Sequence, residues 1–268
     1  MLRHRDNSEA ITGIANMLDA NERIFSMKNR SNVAFLTAVA TLVCCAALIL
    51  GQKVNAAGEG KITGTVKLDG AAPHMKGIDM GKDPYCVKAN PTPQHLETYV
   101  VGSGGGLANV VLSIDGWSGN ATVETNVPVF DQKNCMYTPH VLALDTAQNF
   151  KVKTSDQTAH NIHPLPNPMT NVGWNQSQPP GAPDVEKSWK NPEVIPVQCN
   201  IHPWMHGFFV VVKGPYAVSD ANGNFTINNV PPGSYTVKAW HEPDETQTQK
   251  VTVAAGASAS ANFTFKAK

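Results

Sequence analysis

Residues 193–213 read EVIPVQCNIHPWMHGFFVVVK. The runs EVIPVQC (193–199) and FFVVVK (208–213) have the apolar, β-branched character of strands. Between them lies Cys199-Asn200-Ile201-His202-Pro203-Trp204-Met205, with the spacing C-x2-H-x2-M. A loop this short brings Cys199, His202 and Met205 together at one end of a strand pair, and Pro203 stiffens it by fixing a backbone angle. Upstream, a third strand candidate, NFKVKTSD (149–156), leads into His160-Asn161-Ile162-His163, so His160 arrives from a separate strand end. Taken singly, a cysteine between strands is most often a small buried hydrophobe, and a His-Pro pair is usually a turn. Taken together, these residues form a donor set.

The rest of the chain reads as further short strands. GKITGTVKLD (60–69) alternates apolar and polar residues and ends at an Asp-Gly turn signal. ANVVLSID (108–115), VPVFD (127–131) and HVLALD (140–145) follow. Residues 71–98 are irregular, and the proline-rich stretch 164–193 reads as a long loop packed over something. The tail has its own rhythm, with YAVSD, FTINNV, YTVKAWHE, QTQKVTV and ANFTFKAK separated by Asn-Gly and Pro-Pro-Gly turns. No helix longer than a turn or two is expected after residue 56.

Composition agrees with an all-β chain. Of 268 residues only 16% are charged, while Gly (21) and Pro (19) are plentiful, which excludes coiled coils and long charged helices. The formal net charge is zero, and all the arginines lie before residue 57. A nucleic-acid binder needs a basic face to neutralise phosphates, so that class is excluded.

Residues 33–50, VAFLTAVATLVCCAALIL, carry no charge, follow Lys28 and Arg30, and precede the small-residue site Val54-Asn55-Ala56. This is the pattern of a secretory signal, with translation from Met27 giving an ordinary leader. The alternative is a retained anchor, since the run is near the lower limit for spanning. Residues 1–56 are therefore expected to be a signal peptide or signal anchor, and the protein to be periplasmic or secreted. Past the leader the cysteines are Cys86, Cys135 and Cys199. Export favours a Cys86–Cys135 disulfide, leaving Cys199 for a metal. Closing a loop of about fifty residues is worth roughly 3–4 kcal/mol by chain entropy.

One thiolate, two imidazoles and a weak thioether are what a type 1 copper site requires. Zinc is the chemical rival, but methionine suits it poorly and no second thiolate is at hand. A multicopper oxidase needs a His-Cys-His sequence, which is absent. His140, His163 and His206 read as surface or hydrogen-bonded groups. A second copper fed by them is the one route to an enzyme, so none is expected.

These residues resemble the cupredoxins, amicyanin and plastocyanin most closely. The resemblance covers residues 126–213 and implies His160, Cys199, His202 and Met205 as ligands of one copper. It also implies electron transfer through the edge of His202, beside Pro203 and Trp204. The expected partner is a redox protein such as a c-type cytochrome or a dehydrogenase. The tail, Asp220-Ala221-Asn222-Gly223-Asn224-Phe225-Thr226 and Pro231-Pro232-Gly233-Ser234-Tyr235-Thr236-Val237, resembles the carboxypeptidase regulatory-like, transthyretin-like sandwich. Together they resemble exported bacterial methylamine-utilisation or plastocyanin-like proteins. The tail supplies about four strands where such sandwiches need around seven. The expected architecture is therefore nested: residues 58–125 and 214–268 form a discontinuous sandwich, and the cupredoxin-like sandwich, 126–213, is inserted between. The alternative is a cupredoxin using 60–115, followed by a free C-terminal domain. The expected function is single-electron transport, the alternative a non-redox copper-binding or surface-attachment module.

Overall fold

A computed structural model describes residues 58–119, 126–242 and 244–267. The expected leader and its apolar run at 33–50 lie outside the described residues. No helix among the described residues is long and apolar enough to cross a membrane.

The chain is almost entirely β. Its strands are β1 (Gly60–Asp69), β2 (Val111–Ile114), β3 (Val129–Lys133), β4 (Met136–Thr138), β5 (Val141–Asp145), β6 (Phe150–Thr154), β7 (His160–Pro164), β8 (Gln176–Gln178), β9 (Val185–Lys187), β10 (Glu193–Gln198), β11 (His206–Val212), β12 (Tyr216–Val218), β13 (Asn224–Val230), β14 (Gly233–His241), β15 (Glu245–Val253), β16 (Ser258–Ser260) and β17 (Phe263–Lys266). A single short helix among the described residues, α1 (Pro84–Ala89), starts at Pro84 under an Asp83 cap whose carboxylate accepts from the Tyr85 and Cys86 amides.

Four sheets form two sandwiches. In the first, β1 pairs antiparallel with β13, Ile62 opposite Ile227, and runs parallel to β16 and β17. Alternation along β1 turns Ile62, Val66 and Leu68 inward. Gly64 is required because a side chain there would run into the Ala261 carbonyl. The facing sheet has the order β12-β2-β14-β15. Its Leu112, Val237 and Val251 meet Ile62, Phe225 and Phe265 in one apolar core. The opening strand thus pairs with strands of the tail, not with those that carry His160 or Cys199.

The second sandwich sets β5-β11-β10-β7-β8 against β4-β3-β6-β9. Phe130, Phe150 and Phe209 fill its centre, ring centroids 4.7–4.8 Å from Phe209. β3 and β11 are the first and last strands of this sandwich. They lie in opposite sheets, because β11 takes β5 and β10 as neighbours and β3 takes β4 and β6. The 164–193 stretch carries two three-residue strands, β8 and β9, which add an edge to each sheet.

A third cluster, Val111, Val141, Ala143, Val210 and Trp240, packs the outer face of β5–β11 on the outer face of β2–β14. Four sheets therefore stack as layers with three apolar interfaces. This explains why β2 and β5 are buried along their whole length instead of alternating.

Candidate metal centre

Strand pairing places the donors. β10 lies between β7 and β11, Gln198 opposite both His163 and His206. His160 at the start of β7 and the 199–205 loop after β10 meet at one end of the sandwich. The loop is closed by its own backbone: the Cys199 amide donates to the Met205 carbonyl (3.1 Å) and the Met205 amide to the His202 carbonyl (2.9 Å). Asn161 fastens it to β7, its side-chain oxygen accepting from the Asn200 amide (2.6 Å).

His160, Cys199 and His202 come together, one donor atom of each lying within 4.8 Å of the others. All three are buried, as is Met205 in the same core. The Nδ1 atoms of His160 and His202 face one another at 2.9 Å, and Cys199 Sγ is 4.0 Å from His202 Nδ1. Each ring's other nitrogen meets a carboxylate: His160 Nε2 to Asp156 (2.8 Å) and His202 Nε2 to Asp83 (3.0 Å). An ionised carboxylate only accepts, so each Nε2 donates, and in the neutral ring each Nδ1 lone pair is left for the centre. Two lone pairs at that separation repel unless a proton or a cation sits between them. The donor set fits a soft cation, and copper by the thiolate and imidazoles.

The same groups shift one another's protonation. Burial alone would raise the Cys199 thiol, but hydrogen bonds from His160 and from the amides of Asn161, His202 and Ile201 outweigh it and lower its pKa. Burial alone would lower His160, but Asp156 and Cys199 outweigh it and raise its pKa. Asp156 is pushed up by burial and pulled down further by His160 and the amides of Cys135 and Asn134. Those amides form the two-residue turn between β3 and β4, both residues at positive φ, so Asp156 holds a hairpin and the His160 ring at once.

Cys86 and Cys135 are joined in a disulfide, and Cys199 is free. The bridge staples α1 to the β3–β4 turn and sets Cys86 Sγ 3.8 Å from His202 Nε2. This cap covers the edge that the resemblance assigns to electron transfer: His202 is only 3% exposed. What reaches solvent beside it is Ile201, Pro203 and part of Trp204, whose indole N–H donates to the Cys135 carbonyl.

Asp83 and Asp156 carry no signal in the sequence, since both sit in irregular polar stretches. Asn161 lay in the quoted motif without a role. His163 stays outside the centre, with Nδ1 3.1 Å from Asn200 Oδ1.

Residues 209–266 match the family model of the carboxypeptidase regulatory-like domain. The match begins inside β11 and leaves out β1 and β2, which complete that sandwich. No curated protein matches the chain. Among solved structures, a reduced single-substitution variant of amicyanin aligns at 17% identity and TM-score 0.30, covering 38% of this chain and 98% of its own. The purple cupredoxin of Nitrosopumilus maritimus aligns at 20% identity and TM-score 0.25, covering 29% of this chain and 82% of its own. A copper-containing nitrite reductase from Thermus scotoductus SA-01 aligns at 13% identity and TM-score 0.30, covering 38% of this chain and 25% of its own. The family match thus falls on the tail sandwich and its neighbouring strand β11.

Proposed function

We propose that the chain is an exported type 1 copper protein that passes single electrons between redox partners and is not an enzyme. His160, Cys199, His202 and Met205 hold one copper. The observation that carries this reading is the pair of inward-facing Nδ1 atoms beside the buried Cys199 thiol, each ring anchored from behind by a carboxylate. Copper in such a donor set takes up and gives back one electron with little rearrangement. Asp156 and Asp83 fix the rings, the Asn161 side chain fixes the loop, and the aromatic core beneath keeps water out. The disulfide accords with export to the periplasm or beyond. A c-type cytochrome or a dehydrogenase is the fitting partner, docking on the face of Ile201, Pro203 and Trp204.

Copper-loaded protein should show an intense visible band and a reversible one-electron wave, with one copper per chain by elemental analysis. Cys199→Ser should abolish the band. A band that survives that substitution refutes the site. The covered edge of His202 favours a second reading, in which copper is held without redox exchange in a storage or surface-attachment module. A copper-loaded protein with no wave at accessible potentials selects it.

A further inference from the structure

The pleat of β11 turns successive side chains to opposite sides. Phe208, Val210 and Val212 face the seam between the sandwiches, while Phe209 and Val211 face the ligand-bearing core. His206, two residues before Phe208, is on the seam side. There it meets His140, just before β5, and Glu242, just after β14. The His140 and His206 rings are perpendicular, with centroids 5.3 Å apart. One donor atom from each of the three residues lies within 4.8 Å of the others.

The ring nitrogens are sorted by their neighbours. His206 Nδ1 is 3.0 Å from the Trp204 carbonyl oxygen, which can only accept, so Nδ1 carries the hydrogen. Nε2 is then a bare lone pair, and it faces Glu242 Oε1 at 3.9 Å. Two acceptors facing each other at that distance leave room for a cation between them. His140 Nε2 donates to Glu242 Oε2 at 2.7 Å, a contact that a cation would replace, and its Nδ1 looks to Glu97 Oε2 at 3.7 Å, too far for a direct hydrogen bond. A carbonyl behind a ligating imidazole, as Trp204 stands behind His206, is a usual support for a metal ligand. The side chains of His140 and Glu242 are 2% and 13% exposed, and that of His206 is 31% exposed. Two imidazoles and one carboxylate thus line a sheltered corner that opens on one side to solvent.

We propose that His140, His206 and Glu242 bind a divalent cation, zinc, at the seam between the two sandwiches. Three protein ligands of this kind, with water at an open position, suit zinc. The donor set has no thiolate or thioether, so it does not favour the cuprous ion that Cys199 and Met205 accommodate. Two of the ligands come from the ligand-bearing sandwich and one from the other, so the cation would clasp the two. This inference stands apart from the copper reading, because it uses none of the same ligands.

The test is a zinc titration of the copper-loaded protein, followed by dialysis and elemental analysis. One zinc per chain is expected beside the copper, with a higher thermal midpoint. Glu242→Gln and His206→Gln should each weaken zinc binding by at least tenfold and leave the Cys199 visible band unchanged. His206 is partly exposed, so its variant tests the site with little risk to the fold. Cobalt(II) added to the apoprotein separates the two centres. At the seam it should give weak ligand-field bands that vanish in Glu242→Gln, whereas binding at Cys199 adds thiolate charge-transfer absorption. Failure of the copper reading would remove only the thiolate signal. No retained zinc, or equal retention by both variants, overturns the seam site.

Discussion

His160 and His241 are both buried imidazoles, one in each sandwich, and their surroundings drive them in opposite directions. His160 has Asp156 on one nitrogen and Cys199 beside the other, and its pKa is raised. His241 lies against Tyr99 and Phe265, and its Nδ1 has no hydrogen-bond partner. Burial pushes it down to about 4, and the charges of Glu242 and Glu245 only partly offset that. Burial by itself therefore holds a histidine neutral; a carboxylate hydrogen-bonded behind the ring reverses the shift. The sandwich that carries Cys199 holds the linked polar groups Asp156, His160, Asn161 and His202, while the core of the other is filled by apolar side chains.

The comparison presumes two sandwiches that stand or fall together, and the largest expected effect tests that. Phe209 touches Phe130, Phe150 and Trp189, with centroids 4.7–6.0 Å away. Phe209→Ala should cost about 3–5 kcal/mol. Because Val111, Val210 and Trp240 join the sandwiches in one apolar interface, urea unfolding of the variant should remain a single transition by tryptophan fluorescence and far-UV circular dichroism. Two separated transitions would show that the sandwiches are independent.

Next in size is the staple. Removing it with Cys86→Ala and Cys135→Ala should cost roughly 3–4 kcal/mol by loop entropy for a separation of 49 residues. The expected damage is local to the ligand end, since α1 and the β3–β4 turn would lose their tie. Thiol titration of unfolded, unreduced protein freed of its leader should find one thiol per chain, and three would refute the bridge.

His241 sharpens the contrast through pH. Its folded pKa lies below its ordinary value of 6.5, so the unfolded chain takes up the proton first as the pH falls. Stability contributed by the neutral ring is complete above about pH 6.5 and is lost between 6.5 and about 4, by up to roughly 3 kcal/mol. His241→Met should remove that part of the slope when stability is measured in chelator. An unchanged slope would mean that His241 finds a partner after all.

The sequence made the donor loop legible because Cys199, His202 and Met205 are neighbours in the chain and flanking strands fix where they point. The opening strand's partnership with the tail was legible from a count of missing strands. The layered stacking had a signal in the unbroken apolar runs VVL (110–112) and VLAL (141–144), which fit strands covered on both faces. Asp83 and Asp156 had none, because a carboxylate in a polar turn looks the same whether it faces water or an imidazole. The covered His202 edge was hidden for a related reason. It depends on α1, whose position is set by a distant disulfide and not by local pattern.

Those two carboxylates supply the smallest effect and the most direct test of what sets His160 apart from His241. Asp156→Asn keeps the shape of the side chain but replaces an ionised acceptor of four hydrogen bonds, from His160, Tyr85 and the amides of Asn134 and Cys135. Asp83→Asn does the same behind His202, where the side chain is 19% exposed and water softens the change. Supports of this kind are worth about 10–100-fold in metal affinity, so copper competition with a chelator should show losses in that range. The loss should be greater for the fully buried Asp156 than for Asp83. Both variants should keep the visible band, since Cys199 is untouched. If Asp156→Asn binds copper as tightly as the unaltered protein, the carboxylate serves only the hairpin turn, and His160 differs from His241 by the metal alone.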